Sequence, residues 1–502
     1  MWGVRPTLDS EKNDANANSS GGEFKRVLGP AHLIMLGVGV IVGAGIFVIT
    51  GQAAAKCAGP ALILSFLISG VACAFTGLCY AEFASMMPVA GSAYTYARFS
   101  MGKFVGWIIG WNLVLEYLFG VAFVASGWSE YLSGFLGDIG LTLPAYLSQV
   151  PLVYVGNELR ITGNLINLPA MLIILLFSGL LVIGIRESAK FNFIIVMIKI
   201  AVILLFVGVG MMYINPQNWH PFIPPNTGEF GHFGWSGVLR GAGMIFLCYI
   251  GFDVVSSASQ EVRNPQKNMA IGIMGSLAIA TALYILTVCV MTGIVSYTAL
   301  NVGNPVAVAI DAAGSSFYWI KPFIKIGIIA GLSSGILVLL LGQPRILYKM
   351  ASDGLLPEKL AAVHPKFKTP HIATLANGFI AALVAGLCPL EILGELVSIG
   401  TLMAFMIVCV GIVVLRHTRP DLSRPFKTPL VPFIPIAGAL ISLVQMIALP
   451  GATWIRLGVW VLIGLIIYWI YEAPPQYCGV SFPPSLKLQE DKTRDKNFKG
   501  TP

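Results

Sequence analysis

The sequence predicts an all-α polytopic membrane protein with twelve transmembrane helices, two of them interrupted. Three observations predict it. Hydrophobic residues make up 56% of the 502 positions and charged residues only 11%, a balance far from that of a water-soluble domain. Apolar stretches of about 20 residues, enough to cross a bilayer, recur along the chain. Glycines also cluster inside two of these stretches, where a lipid-facing helix should run unbroken.

Residues 1–28 form a polar tail rich in Asn, Ser and Gly, with no apolar core of a cleavable signal peptide. The apolar segments then fall at 30–50, 61–84, 104–133, 166–184, 191–213, 236–258, 271–296, 323–347, 372–388, 394–415, 430–449 and 453–471. The third is long enough to tilt or to project beyond the membrane. Segments 1–5 occupy residues 29–215 and segments 6–10 occupy 234–416. Segments 11 and 12 occupy 428–472, and residues 473–502 form a second polar tail.

Orientation follows from the basic residues. Most of the 31 Lys and Arg fall in alternate loops that share a side with both tails, which places both termini in the cytoplasm. The opposite side holds Lys56, Arg160, Arg240, Lys321, Lys325 and Arg456. The net charge of +8 therefore needs no nucleic-acid partner. The eight cysteines lie mostly in apolar segments and outline no disulfide framework. No metal-ligand spacing, phosphate-binding loop or nucleophile–base pair stands out, so neither an enzyme nor a cofactor is expected.

The first break is Gly39-Val40-Ile41-Val42-Gly43-Ala44-Gly45-Ile46-Phe47. Glycine costs a helix about 1 kcal/mol relative to alanine. Three of them at membrane depth point to backbone unwound toward a cavity. The helix that restarts there aims free N–H groups at its contents, which suits a carboxylate. Gly39 and Gly43 would serve equally as small residues letting helices approach. The second break surrounds Gly241, Gly243 and Ile250-Gly251-Phe252-Asp253 in segment 6. Interrupted helices at matching places in two halves mark a transporter site near the bilayer midplane. Five segments per half put the second copy in the opposite orientation, and segments 11 and 12 are an appended pair.

Charges at membrane depth are costly and face protein or water. Glu82, Glu116, Lys199 and Asp253 are the ones to explain. Glu116 sits about 20 Å of helix rise beyond Lys103, and Lys199 about 13 Å beyond Lys190, both too deep to snorkel easily. Burial disfavours the charged form of an amine, which suits Lys199 to taking up and releasing a proton. A fixed cation bridging helices is the alternative. Glu116 is either a partner in proton transfer or a carboxylate that orients its helix. Asp253 either touches substrate or caps a half-helix.

Four stretches resemble the amino acid–polyamine–organocation superfamily, in its cationic amino acid transporter branch. They are Gly43-Ala44-Gly45-Ile46-Phe47; Cys79-Tyr80-Ala81-Glu82-Phe83 through Pro88, Gly91-Ser92-Ala93-Tyr94 and Tyr96; Ile250-Gly251-Phe252-Asp253 running into Glu261-Val262-Arg263-Asn264-Pro265; and Ala351-Ser352-Asp353-Gly354-Leu355-Leu356-Pro357. Twelve segments resemble the bacterial members rather than the longer human ones. The resemblance implies a LeuT-like 5+5 inverted repeat with broken helices 1 and 6, working by alternating access.

It further implies that an amino acid's carboxylate meets the N–H groups of Gly43, Ala44 and Gly45. The ammonium would meet carbonyls near Val40, Ile41, Phe246 and Ile250. The side chain would contact Phe119, Gly120, Leu247, Leu339 and Leu340, with Asp253 as a further candidate. Lys199 matches the lysine that proton-coupled relatives hold where sodium-coupled ones hold a cation, so the coupling ion is H+ and no sodium is expected. Arg263 and Asp353 bracket the inner helix ends as an inner gate, or are solvated loop charges.

The apolar helix-8 stretch Ile336–Leu341 favours neutral side chains, because an unpaired buried charge is costly. Several relatives carry an aromatic lid where this chain has Leu247. The expected activity is proton-coupled import of L-amino acids across the plasma (inner) membrane. Cationic amino acid transport, obligate exchange and a non-transporting sensor are the alternatives. Amino acid and membrane lipid are the expected partners, and the chain is also compatible with a small accessory transmembrane subunit or a homodimer.

Overall fold

The computed structural model describes residues 29–86, 92–155, 158–184, 189–252, 255, 262, 264–314, 319–367 and 369–472. One helix falls in each predicted apolar segment. They are α1 Pro30–Ile41, α2 Leu62–Met86, α3 Lys103–Asp138, α4 Leu168–Ile183, α5 Ala189–Gly210 and α6 Gly234–Met244. They continue as α7 Pro265–Ile294, α8 Lys321–Ser352, α9 His371–Leu387, α10 Leu390–Thr418, α11 Phe433–Ala448 and α12 Gly451–Glu472.

Local chemistry sets several ends. Pro30 and Pro265 open α1 and α7, where a missing N–H costs nothing and the fixed φ suits a first turn. The Asn167 side chain accepts from the Ala170 N–H and caps α4, and left-handed Gly184 closes it. Among the described residues, seven helical stretches are long and apolar enough to cross a membrane. The first of them, Pro30–Met86, runs through predicted segments 1 and 2 together. Helices α4, α9 and α11 are shorter apolar helices.

The exterior is apolar as well as the core. Leu172, Phe379, Leu462 and Trp469 all stand more than half exposed. Water would reject such a surface, and hydrocarbon accepts it. The chain is thus a multi-pass membrane protein. Inside, α7 packs on both α1 and α2, α3 packs on α8 and α10, α4 packs on α9, and α5 bridges α1 and α8.

The α3–α4 connection holds the one sheet among the described residues. Strand β1 Leu152–Val155 pairs antiparallel with β2 Glu158–Ile161, in the register Leu152↔Ile161 and Val153↔Arg160. This small hairpin adds to a predominantly helical chain and leaves its helical membrane class unchanged. Each strand is four residues long and leaves little periodic signal beside the helices around it.

Ion pairs close both ends of the bundle. At the hairpin end, Asp138 accepts from Lys321 at 2.8 Å and Lys325 at 2.6 Å, joining α3 to α8. Lys56 pairs there with Glu391 at the start of α10. At the opposite end, fully buried Glu82 receives Arg416 at 2.8 Å and the Thr428 N–H at 2.7 Å, tying α2 to α10 and the segment after it.

Candidate substrate site between two interrupted helices

Helix α1 stops at Ile41, and Val42 takes an extended conformation at φ −74°, ψ 97°. The chain resumes as a π-helical turn over Gly45–Ile49, a geometry that recurs at functional sites. Helix α6 stops at Met244 and tightens into a 3₁₀ turn over Ile245–Tyr249. It opens at Ile250 (φ −59°, ψ 139°) and at Gly251 (φ +110°). The latter is a backbone conformation that glycine adopts without strain.

The two breaks lie against each other. A Cβ added at Gly45 would stand 2.5 Å from the Cys248 Cα, and one added at Gly251 would run into Val40. Gly39 makes a similar close approach to Val196, whereas a Cβ at Gly43 would meet nothing nearer than 3.9 Å. The two sequence readings of these glycines therefore divide between positions. Gly39 and Gly45 admit neighbours, and Gly43 lies in the unwound stretch.

Neighbouring side chains satisfy the freed carbonyls. The Lys199 Nζ on α5 donates to the Gly39 carbonyl at 3.2 Å. The Tyr284 hydroxyl on α7 lies 2.8 Å from the Ile41 carbonyl and 2.7 Å from the Cys248 carbonyl, so one O–H serves both breaks. The Ser398 Oγ on α10 donates to the Met244 carbonyl at 3.0 Å and accepts from the Leu247 N–H at 3.3 Å. Lys199 runs along α8 at Gly331, where a Cβ would stand 3.1 Å from its Cγ. The lysine is 1% exposed.

Between the breaks lies a cavity of about 70 Å³, room for roughly five water-sized spheres. Val40, Ile41, Gly43, Ala44 and Gly45 line it from α1 and its continuation. Glu116 and Gly120 line it from α3, Leu247 and Ile250 from the α6 break, and Leu339 from α8. Two other expected side chains turn elsewhere. Phe119 sits edge-on to Trp460 at 6.0 Å, and Leu340 is fully buried in the core. Each neighbours a lining residue in sequence, and one helical step turns a side chain by about 100°. The Phe246 ring packs on Phe405 at 5.4 Å, which leaves its expected role through the carbonyl untouched. Asp253 lies outside the described residues.

The sequence reading missed Tyr117, Phe123, Ser334, Tyr284 and Ser398. The usable signal was a hydroxyl in mid-segment: a buried Tyr or Ser at membrane depth needs a partner, and broken backbone supplies one. Toward the hairpin end the cavity is roofed by apolar groups. Ile49 Cδ1, Phe123 Cε2 and Leu247 Cδ2 converge on the Gly394 position at 3.1, 3.3 and 3.4 Å.

At the other end Asp353 accepts from the Tyr94 hydroxyl at 2.6 Å and pairs with Lys349 at 3.2 Å and with Arg98. Burial, aided by the Asp353 charge, pushes the Tyr94 phenol well above its ordinary value and keeps it a donor. Asp353 thus fastens α8 to the short helix Ser92–Met101. Its expected partner Arg263 lies outside the described residues.

Facing breaks at membrane depth around a small cavity define a membrane transporter rather than an enzyme. Residues 28–471 match the family model described as amino acid permease, and the chain belongs to that family. It is 43% identical over 457 residues to the methylthioribose transporter of Bacillus subtilis (strain 168), covering 91% of this chain and 95% of the relative. The branched-chain amino acid permease BcaP of the same organism gives the same identity and coverage. The cationic amino acid transporter 4 of Homo sapiens is 37% identical over 407 residues, covering 81% of this chain and 62% of the relative.

Two substitutions test this geometry. Gly45→Ala forces the two breaks apart and is expected to weaken substrate binding by at least about tenfold. Gly43→Ala has room for its methyl and serves as the control. Equal affinities by equilibrium binding, with both variants monodisperse, would contradict the close approach. Tyr284→Phe leaves carbonyls of both breaks without a donor, at a cost of about 1–3 kcal/mol. Its apparent unfolding midpoint in detergent should fall, and an unchanged midpoint would remove Tyr284 from the account.

Proposed function

We propose that this chain is a secondary active transporter that imports neutral L-amino acids across the plasma membrane by alternating access, coupled to inward proton movement. In this reading all twelve helices cross the bilayer, both termini are cytoplasmic and the hairpin end faces outward. Helices α1–α5 and α6–α10 are the two inverted halves.

The observation that carries the reading is the Lys199 ammonium, buried on α5 and bonded to the Gly39 carbonyl beside the α1 break. Protonated, it holds α1 to α5. Deprotonated, it loses the positive charge that favours that bond, and the two conformations exchange stability. A proton shifts such an equilibrium only by its differential affinity for the two states, and a contact to an interrupted helix supplies that difference. The match of Lys199 to the lysine that proton-coupled relatives hold where sodium-coupled ones hold a cation supports H+ rather than sodium as the coupling ion. Glu116 lines the cavity and is the residue assigned to exchange protons with Lys199.

The backbone at Gly43, Ala44 and Gly45 offers N–H groups to a carboxylate common to every amino acid. The apolar lining from Leu247, Ile250, Val338 and Leu339 supports a neutral side chain, as does similarity to a branched-chain permease. Glu116 is the lining residue that would favour a cationic substrate instead. Similarity to a methylthioribose transporter raises a third candidate, a neutral solute with no carboxylate.

The test is uptake of labelled alanine into proteoliposomes, with and without an inward proton gradient. Gradient-driven accumulation that resists excess arginine and methylthioribose is expected, and Lys199→Ala should flatten its pH dependence. Uptake only into amino-acid-loaded vesicles would replace symport with exchange. Displacement by arginine would restore the cationic reading, and displacement by methylthioribose would move the substrate class. An unchanged pH profile in Lys199→Ala would end the coupling role.

A further inference from the structure

A second, polar cavity of about 420 Å³ sits at the hairpin end. Ser126, Glu130 and Ser133 line it from α3, while Asn164, Asn167 and Asn304 line it from the connecting segments. Ser126, Glu130 and Ser133 are spaced four and three apart and share one helix face. The same helix lines the central cavity two residues earlier, at Phe123 and Val124. Two residues of helix rise about 3 Å, so the two cavities are stacked along α3. The apolar roof of Ile49, Phe123 and Leu247 covers the central one.

The polar groups here are not used up by the fold. Glu130 Oε2 accepts from the Gly303 N–H at 2.8 Å. Among the described residues the Glu130 carboxylate has no ion-pair partner, although Lys56 and Lys325 at this end are each paired with other acids. Ser126 is 3% exposed and lines the cavity, and among the described residues its hydroxyl has no hydrogen-bond partner. The Ser133 hydroxyl is likewise buried and without a partner among them. Buried polar groups are ordinarily satisfied. Hydroxyls left open beside an unpaired carboxylate form a site for a hydrogen-bond donor carrying positive charge.

We propose that this cavity is an antechamber that binds the α-ammonium group of an amino acid before it passes the roof into the central site. Glu130 supplies the charge and Ser126 and Ser133 supply acceptors. The proposal rests on the amino-acid reading above, and it assigns the chain a second substrate position. An ammonium group matches the donor set, because it offers three N–H donors to one carboxylate and two hydroxyls.

Equilibrium binding of labelled alanine to the purified full chain tests it. The unaltered protein should bind two alanine molecules, and propylamine, which lacks a carboxylate, should displace only one of them. Glu130→Gln keeps an acceptor for the Gly303 N–H but removes the charge. It should weaken the propylamine-sensitive position by at least about tenfold and leave the other intact. Gly303→Ala, whose Cβ would collide with the Glu130 carboxylate, should do the same. Gly45→Ala should show the reverse pattern. In vesicles, Glu130→Gln should raise the KM for alanine with the maximal rate unchanged. One alanine bound, unaffected by Glu130→Gln and Gly303→Ala, would overturn the antechamber and leave the central site standing. No alanine bound by the unaltered protein would overturn both.

Discussion

Everything distinctive in this structure depends on satisfying backbone that has been unwound within an apolar bundle, where its freed groups need protein or cavity partners. A helix in hydrocarbon bonds all its own N–H and C=O groups, and each break frees some of them. Here the groups freed in α1 and α6 find Lys199, Tyr284 and Ser398, carried on α5, α7 and α10. The breaks are therefore held by three helices that do not themselves break. Tyr284 links them most directly, since its one hydroxyl lies within bonding distance of a carbonyl from each. A rearrangement at one break is felt at the other through that shared donor.

The charged groups follow the same division of labour. Glu82 with its arginine and Asp353 with Arg98 and Lys349 fasten one end of the bundle, and Asp138 with two lysines fastens the other. Between them the central cavity presents mainly backbone and apolar side chains, with Glu116 as its acid. In the proposed function, such a site recognises the head that all amino acids share through main-chain groups and leaves side-chain selection to Leu247, Ile250 and Leu339.

The breaks and Lys199 were legible in the sequence because each violates the expectation for an apolar segment. Glycines cost helix stability, and a lysine far from either end of its helix has no easy route to water. The other partners of the breaks, Tyr284 and Ser398, were signalled only by a hydroxyl in an apolar segment. A tyrosine such as Tyr284 in an apolar helix reads equally as an interfacial aromatic, and only the fold brings it to Ile41 and Cys248. The facing of the Phe119 and Leu340 side chains was also beyond sequence, because each adjoins a residue that does line the cavity. The tie from Asp353 to Tyr94 spans 259 residues, and no local motif announces it.

The central claim is that the unwound backbone, rather than any side chain, binds an amino acid's head group. A head-group series measures it most directly: binding of alanine compared with alaninamide, which lacks the carboxylate, and with propionate, which lacks the ammonium. The account predicts that at the central site alanine binds and both analogues bind at least about tenfold more weakly. Equal affinity of alaninamide and alanine at that site would contradict it, because the N–H groups at Gly43, Ala44 and Gly45 would then have no carboxylate to hold.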